Sequence, residues 1–465
     1  MLAFRLLRAE LVCTLLCLAA QRTAGYVLRY LGEHTIPFGW HEGKDVFGGI
    51  SALARHPNGE ILAVSDHPNT VWPANISVGV DGDVRVDVGV PRKLLTPAGV
   101  PFGKALDVEG AAWLGSAAGG TELLVSTERD KAGAPSRIAR FGSDLRWKGP
   151  GTDLPVPKFY GGARGDHVNK GFEGLAVSPD GRFGYVVNEF PLVRDGDAAS
   201  HMVRVTKLAM PAGTPLRTVA YMLERVAVGE NGVSELLALD NADSLLAVER
   251  AYAKGVGNTV RLFQFNASHG PDVSACASLQ DDSCKGAAGV PKALLADMSK
   301  TGAEVKNYEG ACLGPRLANG ARTVLIVDDN NFNPAQGGTN FVAFSLTTTA
   351  EAAHEATMEE SEVAGALLVG LAVWWGVISL VMARHKLRVL ELPEIAPPSV
   401  ADAEVGPHGA LPVGASGGVV STVGERVSLL STPGSAAPLA SATDQLQQET
   451  FTYTDPGVEE EDECV

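Results

Sequence analysis

One pattern constrains the fold of this chain more than any other: a short apolar run, a turn and a second apolar run ending in acid recur five times between Tyr26 and Leu346. The copies are Gly49–Asp66, Glu109–Arg129, Glu173–Glu189, Val233–Arg250 and Glu309–Asn331, and their starting residues Ser51, Glu109, Glu173, Ser234 and Glu309 are 58, 64, 61 and 75 residues apart. Within a copy, turns such as Asn58-Gly59 and Asp180-Gly181 join alternating apolar runs, the signature of two antiparallel strands. Pieces such as Arg137–Phe141 and Val260–Phe265 bring each unit to about four strands, the size of a propeller blade. The expected fold is therefore all-β, a propeller of five blades, or six if Tyr252–Asn307 holds another. The last copy has room for only two or three strands, so Tyr26–Pro37 is expected to complete it and close the ring. With 53 Gly and 27 Pro, the composition suits turns better than long helices.

Several motifs, in order, carry a resemblance to a known family: DVEG (Asp107–Gly110), NKGFEGLAVSPDGR (Asn169–Arg182), NEFPL (Asn188–Leu192), LLAVER (Leu245–Arg250), NYEGACLGP (Asn307–Pro315) and DDNNF (Asp328–Phe332). Together they resemble the phytase-like family, also called "esterase-like activity of phytase", over roughly Phe47–Leu346. The resemblance implies a β-propeller with acidic residues gathered at one end of the ring and a hydrolase activity.

Innermost strands line a propeller's channel, so Glu109, Glu173 and Glu309, each just before a glycine, are expected to converge there. Asp66, Glu128, Glu189, Glu249, Asp328 and Asp329 end the second strands and form an expected second acidic ring. Oxygen-rich sets of this kind suit Ca²⁺ or Mg²⁺ better than Zn²⁺, and such an ion would neutralise a phosphate ester and activate water. The catalytic candidates are Glu109, Glu173, Glu309, Arg129 and Arg250, with the two arginines, and Lys170 nearby, holding the anion. Within the repeats no G-x-S-x-G elbow supports a serine esterase, and His67 has no evident nucleophile beside it. Asp166-His167 is a second acid/base candidate, and Arg164-Gly165-Asp166 spells an adhesion tripeptide. The alternative to an enzyme is a Ca²⁺-binding propeller that recognises an extracellular ligand. A formal charge of −16 argues against nucleic acid as a partner.

Outside the repeats, residues 1–25 read as a secretory signal, with Arg5 and Arg8 ahead of the apolar run Leu11–Ala20. Residues 26–349 form the expected ectodomain and 350–362 an acidic linker. Residues 363–383 are uncharged and long enough to cross a bilayer. Glu359, Glu360 and Glu362 precede that run and Arg384, Lys386 and Arg388 follow it, predicting a single-pass type I protein of the secretory pathway or plasma membrane. The tail, 384–465, has 13 acidic against 4 basic residues and a disordered composition. Cys276 and Cys284 bracket a short polar loop and are expected to pair. Asn75 and Asn266 head glycosylation triplets.

Overall fold

The computed structural model describes residues 25–390 apart from 116–119, 129–134, 197–199, 283 and 285–288; within the C-terminal helix the side chains of 355–368 and 385–390 are likewise not described. The expected signal up to residue 24, Arg129 and the tail from 391 lie outside the described residues. The chain divides into two units, Met1–Ala383 and Arg384–Val465. In the second, the described residues are the last turns of that helix.

The strands of the first unit are β1 (Tyr26–Ile36), β2 (His41–Glu42), β3 (Asp45–Val46), β4 (Ile50–Arg55), β5 (Ile61–Ser65), β6 (Thr70–Val78), β7 (Val84–Val88), β8 (Arg92–Lys93), β9 (Val108–Gly115), β10 (Thr121–Thr127), β11 (Arg137–Gly142), β12 (Phe172–Val177), β13 (Phe183–Asn188), β14 (Met202–Ala209), β15 (Thr214–Met222), β16 (Glu230–Ala238), β17 (Ser244–Ala253), β18 (Gly257–Asn266), β19 (Lys292–Asp297), β20 (Tyr308–Leu313), β21 (Arg322–Asp328) and β22 (Thr339–Thr348). Apart from the two-stranded ribbon β2-β3, they form five antiparallel blades. Blade 1 is β4-β5-β6-β7 with β8 on β6, blade 2 is β9-β10-β11, blade 3 is β12 to β15, blade 4 is β16 to β19, and blade 5 is β20-β21-β22-β1. The N-terminal strand thus completes the last blade, with Tyr26 opposite Thr348 and Ile36 opposite Thr339. Blade 2 departs from the expected four strands: isolated bridges Ile138 to Leu154 and Phe141 to Trp147 take the place of an outer strand. No sixth blade arises from Tyr252–Asn307, which instead supplies β18, β19 and a loop closed by the Cys276–Cys284 disulfide.

The apolar runs explain the architecture. Successive side chains of a strand point to opposite faces, and a blade is covered on both faces by its neighbours, so its second strand has an unbroken apolar centre, as in Leu123–Val125 and Val324–Val327. In β10, Leu123 and Val125 pack toward blade 1 while Leu124 packs toward blade 3. Five buried clusters fill the five blade-to-blade interfaces, and the one joining blade 5 to blade 1, around Trp72, Phe47, Phe341 and Leu325, closes the ring.

A helix, Thr349–Leu390, follows β22. Residues 350–362, expected as a linker, are part of it, and it runs through the expected span 363–383. Among the described residues no helix is long and apolar enough to cross a membrane; the side chains of 363–368 lie outside that set.

Candidate functional site

Each innermost strand is irregular at one place. Pairing to the second strand breaks between Ile50 and Ala52, at Glu109, between Phe172 and Leu175, between Val233 and Glu235, and between Tyr308 and Gly310. These breaks fall on Ser51, Glu109, Glu173, Ser234 and Glu309, the five starting residues of the repeat. A bulge bends the strand and re-aims a side chain, which brings this tier of residues together around the channel. The glycine after each Glu has a steric origin. A Cβ at Gly310 would come 2.8 Å from the Ala52 carbonyl carbon, one at Gly174 would come 2.8 Å from that of Glu235, and one at Gly110 would overlap the Glu173 carbonyl oxygen.

The second tier follows from backbone hydrogen bonds at the ends of the second strands. Asp66, Glu128, Glu189 and Asp329 donate their amides to the carbonyls of Gly49, Asp107, Gly171 and Asn307, at 2.9, 3.2, 2.9 and 2.8 Å. In blade 4 the equivalent residue is Arg250, opposite Gly232. The second ring is therefore four acids and one arginine. Glu249 and Asp328, expected among the metal ligands, are one residue out of phase, and strand alternation turns them away. Glu249 accepts hydrogen bonds from Tyr221 (2.7 Å) and Asn231 (2.6 Å) and pairs with Lys292. Asp328 is bound by Lys306 at 3.0 Å and by the Asn340 amide. Glu249 thereby ties blade 4 to blade 3, and Asp328 braces blade 5 and the segment that enters it.

The facing residues make a continuous chain of donors. Asp66, His67 and Asp107, then Asp107, Glu109 and Glu128, then Glu128, Glu173 and Glu189, each offer ligand atoms within 4.8 Å of one another. Across the channel, the Arg250 guanidinium lies 3.3 Å from Glu309 and 3.6 Å from Glu189. Lys170, half-buried at the rim, reaches Glu189 at 3.0 Å. Asp107 was visible only inside the DVEG motif, and His67 gains its place through Asp66 Oδ2 at 3.3 Å and Asp107 Oδ1 at 3.7 Å. A histidine next to a strand-terminal acid was the available signal.

Crowding and burial dominate the electrostatics. Burial, reinforced by the neighbouring Glu173, Glu128 and Glu309 charges, raises the Glu109 carboxyl well above its usual range. Burial does the same to Glu173, with Glu189 and Glu128 adding to it, and to Glu309, with Asp329 adding to it. Glu128 is pushed up to about 8 by burial and by Glu189, against the opposing Gly171 amide, and Asp329 to about 7 by burial and Asp66. Burial works against the Arg250 cation, but Glu309, Glu189, Glu173 and Glu109 overcome it and hold the guanidinium charged. The hydrogen bond to Asp66 raises the His67 pKa above the ordinary imidazole value. The donor set is almost all carboxylate oxygen, which fits a hard divalent cation.

The other candidates sit apart from this cluster. Asp166 is buried and takes the Ser136 hydroxyl, so in Arg164-Gly165-Asp166 only the arginine is exposed. Asn75 is exposed on β6, whereas the Asn266 amide nitrogen is engaged by the Ala242 carbonyl at 2.7 Å.

Residues 45–332 match the phytase-like family, described as "esterase-like activity of phytase". The chain belongs to this family. No curated protein matches it. Among solved structures, the catalytic domain of a GH62 α-L-arabinofuranosidase from Coprinopsis cinerea is 10% identical, with 70% of this chain and 98% of that one covered, at a TM-score of 0.36. A Podospora anserina α-L-arabinofuranosidase in complex with cellotriose is 11% identical over 69% and 97%, also at 0.36. The PQQ-bound aldose sugar dehydrogenase of Streptomyces coelicolor is 12% identical over 70% and 99%, at 0.34. Likeness at this level carries no argument about the chemistry of the phytase-like propeller.

Proposed function

We propose that this phytase-like propeller is a hydrolase of phosphate esters that works with Ca²⁺ or Mg²⁺ bound among the channel carboxylates. The observation that carries the reading is the imbalance of charge: Asp66, Asp107, Glu109, Glu128, Glu173, Glu189, Glu309 and Asp329 converge on Arg250 and Lys170, both already paired with acids. Such a set either stays protonated or takes up a cation, and a cation turns a site that repels phosphate into one that accepts it. Asp107, Glu109, Glu128 and Glu173 are the ligands in this reading. A bound divalent ion would supply a polarised phosphoryl oxygen and a more acidic water.

The chain's own residues do the rest. Arg250 holds Glu189 and Glu309 in place and limits their repulsion. Lys170, partly exposed at the rim, is the cation best placed for a phosphate oxygen. His67, oriented by Asp66 and more readily protonated than a free imidazole, donates the proton that the leaving alkoxide requires. The uncharged run 363–383 anchors the propeller to a membrane in this reading, which is supported by the solvent-facing Trp374 and Trp375, 69% and 71% exposed on the helix. The Cys276–Cys284 disulfide supports an oxidising compartment for the propeller.

The test is turnover by the full-length chain on phosphomonoesters, phosphodiesters and carboxyl esters, with Ca²⁺, Mg²⁺ or chelator. Cation-dependent release of phosphate, lost in Glu173→Gln, is the expected result. A folded, cation-binding protein without turnover of any ester would instead be a binding module for an extracellular ligand.

A further inference from the structure

Blade 4 breaks the pattern of the inner tier. Where blades 2, 3 and 5 carry Glu followed by Gly, it carries Ser234 followed by Glu235. Glu235 therefore occupies the position that is glycine in the other three, where neighbouring inner strands approach most closely. Its side chain is 1% exposed, and its Oε1 accepts the amides of Leu175 at 3.1 Å and of Leu236 at 2.8 Å. The other oxygen, Oε2, is buried without a hydrogen-bond partner among the described residues. β12, β16 and β20 are innermost strands, paired on one side only, so alternate amides face the channel with no partner strand. A buried amide left this way is costly. One carboxyl oxygen thus serves inward amides of blades 3 and 4.

Leu175 follows Glu173 by two residues. Fixing its amide fixes where Glu173 stands in the channel. We infer that Glu235 is a positioning residue for the channel site: it ties the inner strands of blades 3 and 4 so that Glu173 stands where it can share a cation with Asp107, Glu109 and Glu128. This rests on the reading of the carboxylate cluster as a cation site.

The experiment pairs calorimetric Ca²⁺ titration with hydrogen exchange of the peptides containing Leu175 and Leu236, on the full-length chain and three variants. Glu235→Gln keeps an acceptor oxygen at the same reach and is expected to retain both Ca²⁺ affinity and slow exchange. Glu235→Ala leaves the amides without an acceptor and is expected to lose about 10–100-fold in affinity, the usual effect of removing a group that orients metal ligands, with faster exchange at both amides. Glu235→Asp, too short to reach Leu175, gives the same readouts should the alanine variant not fold. Wild-type affinity in Glu235→Ala or Glu235→Asp, or equal losses in the glutamine variant, overturns the assignment. If the wild type binds no Ca²⁺, the cation reading itself fails, and exchange decides the rest: faster exchange in Glu235→Ala but not Glu235→Gln supports the tie between blades, and unchanged exchange refutes it.

Discussion

Glu128 and Asp329 show what it costs to gather acids in a channel. Their carboxyls titrate near 8 and 7 in the folded protein, against 4.5 and 3.8 when free. The folded state therefore binds more protons than the unfolded chain through that window, and stability must fall as pH rises across it. In chelator, the protein is expected to melt higher at pH 5 than at pH 8, and Ca²⁺ at pH 8 should recover the difference; a calorimetric melt at the two pH values checks both. Glu173→Gln puts a neutral isostere in place of a carboxyl whose pKa burial and Glu189 raise well above its usual range. In chelator at pH 8 this variant should melt no lower than wild type, and higher by roughly 2–4 °C for each kcal/mol of repulsion removed. A lower melting point would identify Glu173 as a structural carboxylate instead.

At the scale of the strand, the bulge and the glycine after it form one device. Gly174→Ala would set a Cβ 2.8 Å from the Glu235 carbonyl carbon, and overpacking of that kind costs about 1–3 kcal/mol. Gly120→Ala, with nothing within 4 Å, should change stability by less than about 0.5 kcal/mol. Denaturant midpoints of the two variants give the comparison. Much of this device was legible in the sequence, because close approach demands glycine and the repeat therefore spells Glu-Gly three times. The starting residues Ser51 and Ser234 mark the same bulge in the two blades that lack the Glu-Gly pair. Less legible was the phase of the second strands. Nothing local tells which of Glu249 and Arg250, or of Asp328 and Asp329, faces the channel, since a shift of one residue exchanges the two faces. Tyr221, Lys292, Lys306 and Asn340 decide it, and all are distant in sequence from the acids they bind except Asn340. Asp107 and Glu235 were missed for the same reason: each acquires its role from a neighbouring blade.

For the whole molecule, closure matters most. β1 supplies the outer strand of blade 5 and carries Tyr26 and Ile36 into two different blade-to-blade cores. Deleting residues 26–36 exposes β22 as an edge and removes both anchors, worth at least about 3 kcal/mol. A melting point lower by at least about 5 °C is expected, read by circular dichroism. A ring closed at every interface is rigid enough to hold carboxylates together against their repulsion, and that stored repulsion is what a cation would relieve.

The most direct test is calorimetric titration of the full-length chain with Ca²⁺ at pH 7.5 in two buffers of different ionisation enthalpy. Because burial and neighbouring acids push the Glu128 carboxyl up to about 8 and raise those of Glu109, Glu173 and Glu309, binding is expected to expel protons, seen as a buffer-dependent heat. Absence of binding, or binding with no proton release, would contradict a cation site built from these carboxyls.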